Sequence, residues 1–314
     1  MSINWYPGHM HKAIKELKEI LPSVDLLIEI IDARIPYSSE NPVIAKLRGN
    51  KPCIKLLSKS DLADTAVTQA WMDYFEREHG VKAMAVTTEQ PDKIRNLVNL
   101  CKKLVPHKVG GDSNIDALIT GIPNVGKSTI INILAGRAVA KTGNEPAVTK
   151  GQQRINLHNG VLLIDSPGIL WPKIENEDSG YRLAITGAIK DTAMSYDDIG
   201  FYAIHYFMKT YPELIKARYK FDTLPSSELE FFEIIGKQRG CLGGGGLVDL
   251  TKISKILINE FRSGTIGRMS LETPADKERE EKRVAEKLAA KEEAEAGQKK
   301  GRKSKFKGNS REEQ

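Results

Sequence analysis

Gly121-Ile122-Pro123-Asn124-Val125-Gly126-Lys127-Ser128 fits the phosphate-loop spacing G-x-x-x-x-G-K-[ST]. Asp116-Ala117-Leu118-Ile119-Thr120 predicts a short buried strand entering the loop. Ser128 to Leu134 predicts a helix leaving it and ending near Gly136. Strand, glycine loop and helix in succession make an anion cradle, because backbone N–H groups and the positive end of the helix converge there. The cradle spans Asn124, Val125, Gly126, Lys127, Ser128 and Thr129. Lys127 is placed to reach the β- and γ-phosphates of a nucleotide, and the Ser128 hydroxyl to bind Mg2+.

Two other stretches show how the loop is used. Val161-Leu162-Leu163-Ile164 predicts a strand, and Asp165-Ser166-Pro167-Gly168 follows it as a D-x-x-G element. Asp165 then supplies a magnesium-side carboxylate, and Gly168 lies beside the nucleotide. The one candidate for reading a guanine base, Ser58-Lys59-Ser60-Asp61, precedes the phosphate loop. An ordinary GTPase has these elements in the opposite order. The inversion predicts a circularly permuted P-loop GTPase domain.

The 314 residues suffice for two domains and a tail. Hydrophobic residues make up 40%, ordinary for a soluble chain, and no apolar run approaches the roughly 20 residues that cross a bilayer. Met1-Ser2-Ile3-Asn4-Trp5 lacks the basic and apolar segments of a signal peptide. Cys53, Cys101 and Cys241 are isolated and odd in number, which suggests a reducing cytoplasm and neither a disulfide framework nor a zinc site. The net charge of +6 mildly favours an anionic partner.

Buried-type strands are predicted at Leu26–Ile31, Cys53–Leu57, Lys82–Val86, Ala117–Thr120, Arg154–Leu157 and Val161–Ile164, the last two joined by an Asn159-Gly160 hairpin turn. Helical periodicity covers residues 9–21, Thr68–Glu78 and Asp92–Leu104. Alternating strands and helices imply an α/β fold: a mainly parallel six-stranded sheet with helices on both faces and the nucleotide at the carboxyl ends of the strands. After residue 176 only helical spacing remains, at 180–190, 197–210, 226–236 and 249–262, with Gly243–Gly246 as a flexible turn. The expected organisation is a GTPase domain over 1–176, a small all-α domain over 177–272 and a charged tail over 273–314. Residues 276–296 suit a solvated helix, and 297–314 carry seven Lys or Arg against two Glu, a composition that attracts polyanions.

Asn4-Trp5-Tyr6-Pro7-Gly8-His9-Met10 resembles the N-terminal signature of the YlqF/RbgA family of bacterial ribosome-assembly GTPases, and Asp32-Ala33-Arg34-Ile35-Pro36 with Asn41-Pro42 resembles a second family block. Gly121–Thr129 and Asp165–Gly168 match the family's nucleotide blocks. Gly240-Cys241-Leu242 through Asp249, then Phe261-Arg262-Ser263-Gly264 and Gly267-Arg268, are similar to its helical RNA-binding domain. The resemblance covers about residues 3–272. It implies a factor that binds GTP on a late precursor of the large ribosomal subunit, contacts rRNA, hydrolyses GTP to GDP and leaves. The chain is expected to be cytoplasmic and monomeric in solution. An alternative is a guanine-nucleotide-regulated rRNA-binding module in which hydrolysis is not essential. A small-molecule phosphoryl transferase is disfavoured, since no acceptor lid or general base is evident near the loop.

The resemblance also assigns roles. Asp61 would accept from guanine N1–H and N2–H2, a pair adenine cannot offer, and Lys59 would pack over the base. The family pattern is Asn-Lys-x-Asp, whereas this chain has Ser58, too short to reach guanine N7 while also tying the neighbouring loops. Thr87 is a weaker base-loop candidate. Thr149 resembles the switch threonine that closes on Mg2+ and the γ-phosphate, and Asn124 stands where related GTPases hold K+. Ile169 follows Gly168 where a Ras-like enzyme has a water-positioning Gln, so intrinsic turnover should be slow. His9 is the substitute the family suggests. Lys237, Arg239, Lys252, Lys255, Arg262 and Arg268 are the candidate rRNA phosphate contacts.

Overall fold

Strand β1 (Leu26–Asp32) is buried along its whole length, as expected for a strand covered on both faces. In the computed structural model, which describes residues 9–111, 113–140, 153–171, 174–189 and 194–290, it sits at the centre of a six-stranded sheet. The other strands are β2 (Cys53–Ser58), β3 (Val81–Ala85), β4 (Ile115–Gly121), β5 (Gln153–Asn156) and β6 (Val161–Asp165), in the spatial order β3-β2-β1-β4-β6-β5. All neighbours run parallel except the β5–β6 hairpin. The Asn159-Gly160 turn closes that hairpin, with left-handed φ at His158 (+56°) and Gly160 (+90°). The mainly parallel α/β sheet expected from the sequence is therefore present.

Register aligns the functional ends. Asp32 stands opposite Ser58, Ile30 opposite Gly121, and Ile119 opposite Asp165. The segments after β1, β2, β4 and β6 consequently leave from one edge of the sheet. The direction of winding reverses between β1 and β4, the switch point where open α/β sheets bind ligands.

The helices are α1 (His9–Ile20), α2 (Pro36–Ser39), α3 (Pro42–Arg48), α4 (Thr65–Phe75), α5 (Pro91–Arg95), α6 (Leu97–Leu104), α7 (Lys127–Ala135), α8 (Glu177–Ile185), α9 (Tyr196–Thr210), α10 (Pro212–Tyr219), α11 (Glu228–Gln238) and α12 (Leu250–Arg262). Alternate β1 residues face opposite ways. Leu27 and Ile31 join Leu17, Ile44, Trp71 and Phe75 on one face. Leu26, Ile28 and Ile30 join Ile94, Leu97, Ile130 and Ile131 on the other. The second cluster runs on without a break into Leu183, Ile199, Phe207, Phe231 and Phe261 of the helical bundle. Residues 1–273 form one unit by contacts, and 274–290 is a helix of the second unit, Pro274–Gln314.

Three helices were not expected, and each begins with a proline: Pro36, Pro42 and Pro212. Proline at the first helical position is preorganised for a helix, yet in sequence it also marks turns. The Asn41-Pro42 block is such a start, since the Asn41 side chain accepts from Val43 N at 3.0 Å and caps α3. The span expected as one helix over 92–104 is two, broken at Asn96. At 243–246, expected as a turn, Gly244–Gly246 forms a single 3-10 turn.

The end of the bundle is fastened to the sheet domain by a buried acid. Glu272, 0% exposed, accepts from Ser38 N at 2.7 Å, Ser38 Oγ at 2.5 Å and Arg182 Nη1 at 3.0 Å, while its carbonyl accepts from Trp71 Nε1 at 3.1 Å. Glu272→Gln removes a charged partner of the buried Arg182 guanidinium and should cost about 1.5–3 kcal/mol. Denaturant unfolding should show a lower midpoint at unchanged m-value; an unaltered midpoint contradicts the fastening role.

Candidate nucleotide site

The phosphate loop follows from backbone constraints. Gly121 ends β4 where an added Cβ would meet the Ile30 carbonyl oxygen at 2.6 Å, so no larger residue fits beside β1. Gly126, at φ +86°, turns the chain into the N-terminus of α7, and Gly136, at φ +67°, ends that helix. Asn124 also adopts left-handed φ, at +60°. Gly168 passes so close to the loop that its Cβ would meet Pro123 N at 3.2 Å. The D-x-x-G segment is held there by Ser166 N donating to Ile119 O at 3.2 Å and Ile169 N donating to Gly121 O at 3.1 Å.

Lys127 and Asp165 form a buried ion pair through Lys127 Nζ and Asp165 Oδ1. Asp165 is 0% exposed, and its Oδ2 has no hydrogen-bond partner among the described residues. Burial raises the Asp165 carboxyl above its ordinary range, and Lys127 offsets this only in part. A buried, unsatisfied carboxylate oxygen fits a magnesium-side group, and Ser128 and Thr129 lie half-buried at the start of α7 beside the paired Lys127.

Ser58 is buried and its hydroxyl lies 2.7 Å from Val125 O and 3.0 Å from Ile31 O. Of the two tasks expected of the family's asparagine, serine keeps the tether to the phosphate loop. Ser58→Ala should free that loop at a cost of about 0.5–1.5 kcal/mol, or roughly two- to tenfold in nucleotide affinity. Equilibrium titration with a fluorescent guanine nucleotide reads this, and native affinity in the variant contradicts it.

Lys59, at φ +54°, lies over the phosphate-loop backbone, donating to Asn124 O at 2.7 Å and to Asp32 Oδ2 at 3.0 Å. Burial, together with the Arg34 and Arg262 charges, lowers its pKa despite the Asp32 carboxylate. Burial also acts to raise the Asp32 carboxyl, but Arg34 and Lys59 reverse this and hold it well below the usual carboxylate range. Asp61 is half-exposed in the same loop, with no hydrogen-bond partner among the described residues, so its carboxylate remains available to a base. The loop after β3 packs against it through Ser60 N donating to Val86 O at 3.1 Å. The Thr87 hydroxyl accepts from Glu89 N at 3.3 Å, so this side chain shapes the turn.

Asn124 Nδ2 donates to Gly187 O at 2.7 Å, which brings the turn after α8 against the phosphate loop. Ile169 and Leu170 are 1% and 0% exposed, turned into the core. His9 opens α1, but its side chain, like Thr149, lies outside the described residues. Lys237, Arg239, Lys252, Lys255 and Arg268 are exposed. Arg239 also pairs with Glu260 Oε1 at 3.1 Å, and the half-buried Arg262 donates to Ile185 O and Ala184 O, both at 2.8 Å.

Asp32 and Arg34, visible in the sequence only as part of a family block, hold Lys59 in the site. The pattern that marks them is an acid ending an apolar run, two residues before an arginine.

Residues 116–201 match the family described as "50S ribosome-binding GTPase". Ribosome biogenesis GTPase A of Priestia megaterium is 44% identical over 286 residues, covering 88% of this chain and 99% of its own. The chain belongs to the ribosome biogenesis GTPase A family. It is a P-loop GTPase. The Thermotoga maritima member is 34% identical over 274 residues, covering 87% of this chain and 95% of its own. A GDP-bound YlqF superposes with TM-score 0.63 at 29% identity, covering 83% of this chain and all of that one. The GNP-bound T. maritima YlqF gives 0.60 at 30%, covering 84% and 99%. No helix among the described residues is long and apolar enough to cross a membrane.

Proposed function

We propose that this GTPase acts late in assembly of the large ribosomal subunit, binding the precursor particle with GTP in place and leaving after hydrolysis. The observation that carries this reading is the convergence of Lys59, Asp61, the phosphate loop and Asp165 at one sheet edge beneath a helical bundle with exposed basic side chains. Asp61 and Lys59 read the guanine, with Ser58 and the Thr87 turn holding the loop from either side. The N–H groups of Asn124, Val125, Gly126, Lys127, Ser128 and Thr129 take the phosphates, and Gly168 lets the D-x-x-G segment approach them.

Ser128, Asp165 and Thr149 would hold Mg2+, which neutralises charge on the β- and γ-phosphates. A nucleotide draws Lys127 from Asp165 to the phosphates. Asn124 is the residue for K+, and its amide nitrogen is engaged with Gly187 O. The aliphatic pair Ile169–Leu170 cannot orient water, so chemistry waits for a group brought by docking, which we assign to His9. Lys237, Arg239, Lys252, Lys255 and Arg268, with the basic residues of 297–314, supply phosphate contacts to rRNA.

Co-sedimentation of the full chain with large ribosomal subunits tests this. Retention should be stronger with a non-hydrolysable GTP analogue than with GDP, and should fall steeply between about 50 and 200 mM salt as counterions are released. Equal retention in both nucleotides, or indifference to salt, contradicts it.

A further inference from the structure

Phe261 and Arg262 are the last two residues of α12, and each leads to the same residue of the phosphate loop by a separate route. On the first, the Phe261 ring faces Arg34, whose Cζ lies 5.1 Å from the ring centroid. Arg34 is 1% exposed and grips Asp32 with Nε at 2.9 Å and Nη2 at 2.8 Å. Its Nη1 has no hydrogen-bond partner among the described residues, and the Phe261 ring supports the guanidinium as a whole through the cation–π contact. Asp32 in turn holds Lys59, which donates to the Asn124 carbonyl. On the second route, Arg262 Nε and Nη2 bind Ile185 O and Ala184 O at the end of α8. The turn that follows places Gly187 at φ +80°, packed on the Arg262 guanidinium so closely that a Cβ would meet its Cζ at 3.3 Å. Gly187 O then accepts from Asn124 Nδ2. One route ends on the backbone of Asn124, the other on its side chain.

We propose that Phe261 and Arg262 are positioning residues that couple the helical bundle to Lys59 and Asn124, so that the state of the bundle sets the rate of guanine-nucleotide release. The proposal rests on the reading that Lys59 covers the base and Asn124 lies in the phosphate cradle. It makes the bundle a controller of nucleotide residence as well as an RNA-binding surface: a load on α12 shifts two neighbours of the nucleotide together. Networks of this kind show non-additive substitutions, because each member acts through the next.

The test is release of fluorescent GDP from the full-length chain in a double-substitution cycle. Phe261→Leu keeps the apolar volume and removes the ring face; Arg34→Lys keeps the charge and loses the two-pronged grip. Each should speed release roughly three- to tenfold in the native background and less than about 1.5-fold when combined with Lys59→Ala. Arg262→Lys should speed release similarly and lose its effect in Asn124→Ala. Phe232→Leu, a buried bundle position packed edge-on against Phe231 and tilted against Phe201, should lower stability without changing release. Equal fold-changes in both backgrounds, or acceleration by Phe232→Leu as large as by Phe261→Leu, overturn the coupling. Native release by Lys59→Ala alone overturns the base-loop reading, and the coupling with it.

Discussion

Lys127→Ala should lower guanine-nucleotide affinity by about 3–4 kcal/mol, two to three orders of magnitude, and lower turnover with it. The substitution removes the cation that meets the β- and γ-phosphates and also strands Asp165, which is fully buried and paired with Lys127. The second consequence gives a signature distinct from lost binding. Burial raises the Asp165 pKa even with Lys127 beside it, so removing Lys127 raises it further. A carboxyl whose folded-state pKa exceeds its unfolded value binds more protons folded than unfolded. Its folded form is therefore favoured at low pH, and stability falls as pH rises from the unfolded pKa through the folded one. Unfolding of Lys127→Ala should accordingly show a larger deficit against native protein at pH 8 than at pH 5. Affinity within about threefold of native, or a deficit independent of pH, contradicts the placement of both residues.

Hydrolysis by the isolated chain should be slow, roughly 10⁻⁴ to 10⁻² s⁻¹, and large ribosomal subunits should raise it by about two orders of magnitude or more. The position after Gly168 decides this. A Ras-like enzyme has a glutamine there, whereas Ile169 is buried in the core with Leu170 behind it, and Asn41 Nδ2 holds the Ile169 carbonyl at 3.1 Å. Neither aliphatic side chain can orient water even if the segment moves. His9→Ala should abolish most of the stimulation and leave GTP affinity nearly intact, because a group that acts only on the transition state changes turnover without changing ground-state binding. Single-turnover hydrolysis with and without subunits, alongside a GTP titration, separates the two effects. Rapid hydrolysis by the free chain, or full stimulation of His9→Ala, contradicts the scheme.

The sheet and the nucleotide cradle were legible in the sequence because both depend on local chemistry. A parallel strand buried on both faces must be a continuous apolar run, as Leu26–Ile31 and Val161–Ile164 are. A phosphate loop must place glycine where a Cβ would strike a neighbouring backbone, as at Gly121. Motif order also needs no coordinates, so the permutation could be read directly. Helices begun by Pro36, Pro42 and Pro212 were missed because a proline after a break reads equally as a turn, and packing alone selects the helix. For Arg262, expected among the rRNA contacts, the charge is visible in sequence, but the hydrogen bonds to the α8 carbonyls are not. The contacts among Ser58 and Val125, Lys59 and Asp32, Asn124 and Gly187, and Arg34 and Phe261 join residues far apart in the chain. No local pattern encodes such pairs, because each exists only when strand register brings two chain segments to the same edge. The sequence by itself determined the strands and the glycine loop that form the cradle; the tertiary structure decided which distant residues hold that loop in place.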